Sequence, residues 1–537
     1  MGRSPFGAGV RRICAVAAAA TAAEMRAQVL AALRETPTVE VRLDWLRDDA
    51  ERERLLAWLA GQKRRLRGAV FIATCRRREG GGKLRSSVEE EMRWLARARE
   101  AGCGWCDLEV ESLREVPADS TIRRTKSGDA DVAPPQRRGN GGSAPLGAVD
   151  AVYVPRLILS LHDFKRTPPL ARALRLLRGH DADAVKIAVQ SRSIEDSVQV
   201  VRAARGASDR VVVPMGEVGL AARILALREG SALAYAPVGA ATAPGQVSLR
   251  ELKHLYRAHE LNRQTRVYGV IGNPVGHSLS PLMHNTGFVA RRINAVYVPF
   301  LAEDLRDFLR AAPELGVRGF SVTLPHKKSM LRHLKECEGL AAEIGAVNTV
   351  VVRQDGSLYG CNTDYVGVLR ALQKKFRIAG SRVLIFGAGG AARAAAFALA
   401  RAGAAVAICA RREKTARELA RAVEGEVVPR RALRTESFDA ILNATPLGMY
   451  PHEAISPLEA RELHCRVVMD LIYRPERTKL LQMAASKGIA TVSGVEMFVA
   501  QGTAQWELWM GRRAPDAAMR RAVVAALRAE AKQRRPR

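Results

Sequence analysis

One lysine in this chain stands where a lysine is costly to keep. Leu159-Ser-Leu-His-Asp-Phe-Lys165 ends an apolar run on His162 and Asp163, and Ala184-Val-Lys-Ile-Ala-Val sets Lys186 inside the next run. An ammonium in apolar surroundings is expensive unless it is neutralised or used. Desolvation and cationic neighbours favour the neutral amine, which can attack a carbonyl and form a Schiff base. The structural alternative is an inner lysine satisfied by a carboxylate, and Lys186 alone does not separate the two. The neighbouring runs carry Glu40-Val-Arg42-Leu-Asp44, Arg76 with Glu79-Gly-Gly, Met215-Gly through Arg223, and Thr242-Ala-Pro-Gly-Gln246. Arginines around such a lysine suit a small carboxylate substrate, held in bidentate fashion. A histidine beside the imine can move protons on and off carbon and a leaving hydroxyl.

The second constellation is reductive. Gly387-Ala388-Gly389-Gly390-Ala391-Ala392 follows the apolar run Arg382–Phe386 and opens an alanine-rich stretch. Glycines there allow a tight turn and let a pyrophosphate rest on a helix N-terminus. The next run ends in Cys409-Ala-Arg411-Arg412-Glu-Lys414 instead of the acidic residue that binds the ribose of NAD. Clustered cations there fit a 2′-phosphate, so the expected cofactor is NADP. Upstream, Gly272-Asn-Pro274, Ser278, Ser280 and His284-Asn285 form a polar loop. Thr323 with Lys327, Asn348, and Asn362-Thr-Asp364 end later runs. A Lys327–Asp364 pair can deliver a proton to a carbonyl oxygen as hydride reaches carbon; a bare pair of this kind is also an ordinary salt bridge.

These residues need a frame, and the apolar runs supply it. Ile13–Ala17, Val39–Leu43, Ala69–Thr74, Cys106–Val110, Leu157–Leu161, Ala184–Val189, Val211–Pro214 and Leu233–Ala236 read as strands. Amphipathic stretches such as Val88–Ala101 and Pro168–Arg178 lie between them. Eight strands alternating with helices predict a (β/α)8 barrel, whose chemistry sits at the carboxyl ends of the strands. Arg42, Arg76, His162 and Arg223 end these runs. Residues 119–147, rich in Gly, Ser, Pro and charge, read as a flexible insertion. A second α/β unit begins near Thr265 with strand Val267–Ile271. Strand Arg382–Phe386, the glycine turn, helix Ala391–Ala402 and strand Ala405–Cys409 then open a Rossmann-type domain. Past Gly488 the chain turns helical and ends on a basic tail.

Composition narrows the classes. At 537 residues the chain holds several domains, and 47% hydrophobic with 26% charged residues exclude bulk disorder. No apolar stretch is long enough to predict a membrane helix. The 85 basic against 55 acidic residues give +30, yet the cations are scattered and not interleaved with aromatics, so nucleic acid is not an expected partner. Eight cysteines mostly within apolar runs, with no secretory signal at Met1–Arg12, predict a reducing, cytoplasmic setting. Cys103-Gly-Trp-Cys106 lacks a second half, and no metal is expected. Gly80-Gly-Gly-Lys83 and Gly139–Gly142 lack the spacing of a phosphate loop. Oligomeric state is not legible.

The barrel motifs, taken together over about Ile13–Glu251, resemble type I 3-dehydroquinate dehydratase. The resemblance implies an imine on Lys186, proton transfer by His162, and Glu79 orienting that histidine. It places Arg223 on the substrate carboxylate, with Glu40, Arg42, Arg76, Thr242 and Gln246 on ring and hydroxyls. Relatives usually have three residues between the arginine and Glu-Gly-Gly; here two separate Arg76 from Glu79. From Arg266 to about Glu530, the polar loops with Asn443-Ala-Thr-Pro-Leu-Gly448, Asp470-Leu-Ile-Tyr473-Arg-Pro and Gly494-Val-Glu-Met…Gln501 resemble shikimate dehydrogenase. That likeness implies catalytic Lys327 and Asp364, and Ser278 and Ser280 on the substrate carboxylate. Thr323, Asn348, Tyr473 and Gln501 fall on its ring and hydroxyls. NADP falls to Gly387, Ala388, Gly389, Gly390, Ala391, Arg411, Arg412, Lys414 and Gly494. Ser321 stands where microbial relatives often have Asn. The implied organisation is a dehydratase barrel at 13–260, a substrate-binding domain at 266–370, an NADP domain at 371–490, and C-terminal helices at 491–537 that return to the substrate domain. Two consecutive steps follow: 3-dehydroquinate to 3-dehydroshikimate, then shikimate. A catabolic, NAD-dependent quinate/shikimate dehydrogenase fused to the dehydratase is the alternative.

Overall fold

The computed structural model describes Phe6 and residues 12–115, 122–124, 152–154, 156–206, 208–239 and 245–533. Thr242, most of Met1–Arg12, Gly139–Gly142 and the last residues of the basic tail lie outside these. So does the insertion at 119–147, apart from Ile122–Arg124, which pairs in parallel with Val152–Val154. The chain divides into two compact units, Met1–Thr265 and Arg266–Arg537.

The first unit is an eight-stranded parallel sheet: β1 (Ile13–Ala17), β2 (Thr38–Arg42), β3 (Val70–Thr74), β4 (Trp105–Glu109), β5 (Arg156–Asp163), β6 (Ala184–Gln190), β7 (Arg210–Met215) and β8 (Ala234–Pro237). The order β8-β1-β2-β3-β4-β5-β6-β7 wraps round on itself. At the β7/β8 seam, Ala232 N donates to Arg210 O at 2.7 Å and Val212 N to Ser231 Oγ at 3.2 Å. Four of the helices between the strands start on side-chain caps: Thr21, Asp48 and Ser87 each accept from a first-turn amide, and Ser193 with Asp196 forms a capping box.

Inside the barrel, Cys14, Ile72, Ile158, Ala184, Val211 and Leu233 pack with Trp105, against which Phe6 stacks at 4.3 Å. Towards the carboxyl ends the inward positions turn polar: Glu40, Thr74, Asp107, Ser160 and Lys186 are all buried. Arg223 differs from expectation. It sits on helix Leu220–Glu229, not at a strand end, because Leu-Ala-Ala-Arg-Ile-Leu-Ala-Leu is apolar at either period.

The second unit holds two six-stranded sheets. In the first, β9 (Arg266–Gly272), β10 (Ala295–Leu301), β11 (Val317–Val322), β12 (Glu336–Cys337), β13 (Thr349–Val352) and β14 (Leu358–Cys361) run in the order β10-β9-β11-β13-β14-β12. In this sheet β13 is antiparallel to both its neighbours. In the second, β15 (Arg382–Phe386), β16 (Ala405–Cys409), β17 (Glu426–Val427), β18 (Ala440–Asn443), β19 (Val467–Asp470) and β20 (Ala490–Val492) are all parallel, ordered β17-β16-β15-β18-β19-β20. That is the dinucleotide-binding order, with its switch point beside β15. Helices Gly494–Met510 and Asp516–Gln533 pack back on the first sheet through Trp506, Trp509, Met519 and Val523, against Tyr268, Met283 and Phe288. His284 and Asn285, read as loop, are buried in helix Ser280–Ala290.

Candidate active sites

At the barrel mouth, alternation along β4 turns Asp107 and Glu109 to the same inner face. Lys186 Nζ donates to Asp107 Oδ2 at 2.7 Å and lies 4.4 Å from the centre of the Tyr235 ring. Ser160 Oγ donates to the other oxygen of Asp107 at 2.8 Å. His162 Nδ1 lies 2.8 Å from Glu109 Oε1 and 3.0 Å from Oε2. Between the two carboxylates sits Arg76, with Nη2 3.1 Å from Asp107 and Nε 2.7 Å from Glu109. Lysine, histidine, arginine and two carboxylates form one buried cluster.

Its electrostatics follow from that arrangement. Burial would raise the Asp107 carboxyl, but Lys186 and then Arg76 outweigh it and hold the group below the usual carboxylate range. Glu109 is lowered in the same way: burial opposes, and His162 and Arg76 prevail. Burial, then Arg76, pushes the His162 imidazole down despite Glu109, so it rests neutral more readily than a free histidine. With Nδ1 held by a carboxylate, Nε2 is the nitrogen left to take a proton.

The outer residues have firm places as well. Thr74 Oγ1 donates to Glu40 at 2.6 Å, and Arg42 forms two hydrogen bonds to Asp44 at 2.9 and 2.8 Å. Arg223 is buried and, among the described residues, donates only to the Pro214 carbonyl, at 2.9 Å, with no hydrogen-bond partner for its Nε. Burial pushes this guanidinium down to about 10. A buried cation without a carboxylate is what an anionic substrate completes. Gln246 is half-buried on the segment after β8.

One expectation is corrected. Glu79 is exposed at the tip of a turn closed by Gly81 N to Arg78 O (2.9 Å) and Gly82 N to Arg77 O (2.8 Å). The carboxylate on His162 is Glu109.

In the second unit, Lys327 Nζ donates to Asp364 Oδ2 at 2.6 Å and Asn348 Nδ2 to Asp364 Oδ1 at 2.8 Å. Asn348 is itself fixed, its Oδ1 accepting from Thr363 N and Thr349 Oγ1, both at 2.7 Å. Asp364 lies in the first turn of helix Thr363–Leu372, capped by Asn362, which accepts from Asp364 N at 2.9 Å. Ser280 N donates to Ser278 Oγ at 3.2 Å. Thr323 abuts Gly272, where a Cβ would meet its Cγ2 at 2.4 Å. Tyr473 stacks on Phe498 at 4.7 Å, and Gln501 donates to the Phe498 carbonyl at 2.8 Å.

The glycine turn fits a dinucleotide. Gly387 takes φ +119°, and a Cβ there would meet Thr445 at 3.0 Å. At Gly389 and Gly390 a Cβ would meet nothing within 4 Å, and helix Gly390–Arg401 begins with no side-chain cap on its amides. Arg411, Arg412 and Lys414 are exposed just past β16. Gly494 is buried, and a Cβ there would lie 2.3 Å from the Ile472 carbonyl oxygen. Among the described residues no group of His, Cys, Asp or Glu is placed to hold a metal, and no helix is long and apolar enough to cross a membrane.

Comparison with known proteins agrees with this division. The family model for type I 3-dehydroquinase matches residues 13–130 and 153–263. Models for the shikimate dehydrogenase substrate binding domain and the shikimate 5'-dehydrogenase C-terminal domain match 270–350 and 494–524. A chloroplastic bifunctional 3-dehydroquinate dehydratase/shikimate dehydrogenase of Arabidopsis thaliana is 33% identical over 502 residues, which span 89% of this chain and 78% of that protein. The chain belongs to this bifunctional dehydratase/dehydrogenase family. A shikimate dehydrogenase (NADP(+)) of Bacillus mycoides is 42% identical over 261 residues, 46% of this chain and 93% of its own. A crystal structure of shikimate 5-dehydrogenase from Thermus thermophilus, with NADP(H) and shikimate, covers 49% of this chain and 100% of its own at 34% identity and TM-score 0.46.

Three members of the dehydratase cluster went unread in the sequence. Asp107 and Glu109 stand at alternate positions of Trp-Cys-Asp-Leu-Glu, a pattern that puts both on one face of a strand, and Tyr235 lies on β8. In the dehydrogenase half the unread residue is Gln505. Its Oε1 accepts from Ser321 Oγ at 2.9 Å and lies 3.2 Å from His284 Nε2, while Tyr297 donates to Ser321 at 2.6 Å. Periodicity on helix Gly494–Met510, four residues on from Gln501, could have found it.

Proposed function

We propose that the barrel dehydrates 3-dehydroquinate to 3-dehydroshikimate and that the second unit reduces 3-dehydroshikimate to shikimate with NADPH. The observation that carries the first step is the Lys186–Asp107 pair joined through Arg76 to His162–Glu109. Lys186 sheds its proton and attacks the ketone; loss of water gives the imine. His162 Nε2 takes the proton from the adjacent carbon, then returns it to the departing hydroxyl, which leaves as water. Hydrolysis frees Lys186. Arg223 holds the carboxylate, and Glu40, Arg42, Arg76, Thr242 and Gln246 hold ring and hydroxyls.

In the second unit, Gly387, Ala388, Gly389, Gly390 and Ala391 receive the pyrophosphate, and Arg411, Arg412 and Lys414 the 2′-phosphate, with Gly494 also at the cofactor. NADPH, when bound, supplies the hydride. Ser278 and Ser280 hold the substrate carboxylate, and Thr323, Asn348, Tyr473 and Gln501 its ring and hydroxyls. Lys327 donates the proton to the carbonyl oxygen, and Asp364, fixed by Asn348, keeps that ammonium in place. A reducing compartment such as the cytoplasm suits the eight free cysteines.

Borohydride reduction in the presence of 3-dehydroquinate, read by mass analysis of intact protein and peptides, tests the first step. An adduct on Lys186, absent from Lys186→Ala, is expected. Folded protein that forms no adduct while still oxidising shikimate sinks the dehydratase reading. Oxidation of shikimate with NADP is expected to outrun that with NAD at equal concentration, and the reverse preference would favour the catabolic alternative.

A further inference from the structure

We propose that Glu109, and not the glutamate of the Glu79-Gly-Gly turn, is the positioning residue that aims and polarises His162 in the dehydratase reaction. The inference rests on the dehydratase reading and goes beyond it. The turn after β3 is closed by Leu84 N to Arg76 O at 3.1 Å and Arg78 N to Leu84 O at 3.0 Å, which leaves Glu79 pointing to solvent. The position separated from Arg76 by three residues is Gly80, and it lies directly over the cluster. A Cβ at Gly80 would sit 2.8 Å from Glu109 Cγ and 3.4 Å from Arg76 Cγ. The shortened turn thus brings bare backbone, and no second carboxylate, against Glu109.

Glu109 fills that role on its own. It is buried, its two oxygens lie 2.8 and 3.0 Å from His162 Nδ1, and Arg76 at 2.7 Å fixes its rotamer. The groups facing His162 are Glu109 on β4, Arg76 beyond β3 and Lys186 on β6, with Asp107 behind Lys186 and the Phe164 ring stacked 5.8 Å away. Among these, Glu109 is the anion in contact with the imidazole, so it selects the tautomer that leaves Nε2 free. It also opposes the downward pull that burial and Arg76 exert on the ring.

The test is the pH–rate profile of 3-dehydroquinate dehydration by the full chain, with shikimate oxidation as the folding control. Glu109→Gln is expected to lower kcat at least about 10²-fold with little change in KM. It should also move the acid limb of kcat/KM to lower pH, because the neutral amide no longer favours the imidazolium. Glu109→Asp should recover part of the rate, and Glu79→Gln should leave rate and limb alike unchanged. Gly80→Ala, which presses on Glu109 without altering its charge, should lower kcat and so covers the case where Glu109→Gln does not fold. An unmoved acid limb in folded Glu109→Gln, full activity in Gly80→Ala, or a shifted limb in Glu79→Gln overturns the proposal. No turnover by the unaltered chain would instead overturn the dehydratase reading itself.

Discussion

A buried cation persists where something answers its charge, and the barrel answers three of them differently. Among the described residues, Lys186 pairs with one carboxylate, Arg76 with two, and Arg223 with only a carbonyl oxygen. His284 in the second unit is the neutral counterpart: fully buried, stacked on Tyr297 at 4.5 Å, and pushed down to about 3 by burial. The unfolded chain binds a proton at this residue below about pH 6.5, whereas the folded chain does not. Stability therefore falls as pH drops from 6.5 towards 3, by up to about 1.4 kcal/mol per unit from this group. Asp470, raised by burial to about 6, works in the opposite sense, but it is common to both proteins in a comparison. In urea unfolding at pH 7.5 and pH 5, wild type should lose more stability on acidification than His284→Asn; equal losses would refute this. At this scale Lys186, His162 and Lys327 were legible because a charged residue in or beside an apolar run is conspicuous. Glu109 was not, since the family resemblance gave its role to Glu79, and only the turn's hydrogen bonds decide which side faces in.

Among the elements, the parallel strands were the most legible part of the fold. Strands covered on both faces read as unbroken apolar runs, and β1, β15 and β16 match expectation residue for residue. Others shift by a residue or so at their ends, where pairing and not composition sets the limit. Helix Leu220–Glu229 was the loss, because buried residues cover nearly all of its circumference and blur its period. Glycines that let elements meet were also hard to read. Gly494 admits helix Gly494–Met510 against the segment after β19, with no room for a methyl beside the Ile472 carbonyl. Gly494→Ala should destabilise the second unit by about 1–3 kcal/mol through overpacking. A lowered melting temperature for the variant chain would bear this out, and an unchanged one would show that the helix can shift at no cost.

On the scale of the whole chain, two compact units meet at Thr265/Arg266 in the sequence, and each carries its own core and its own lysine–carboxylate pair, Lys186–Asp107 and Lys327–Asp364. Residues 266–537 expressed alone should fold and reduce 3-dehydroshikimate at a kcat within about threefold of the full chain. An insoluble or inactive fragment would show that the second unit needs the first. The net charge of +30 has a local counterpart in ion pairs such as Arg382 with Glu426 and Glu436, and Arg430 with Glu462. Arg76 has a different kind of weight. It is the shared counter-ion of the carboxylate that holds Lys186 and the one that holds His162, so Lys186 and His162 cannot drift independently. Substitutions at Asp107 and Glu109 are then expected to be non-additive, because each leaves the Arg76 charge to the other carboxylate alone. The paths open to a descendant of this sequence are those in which charges are lost or gained in pairs.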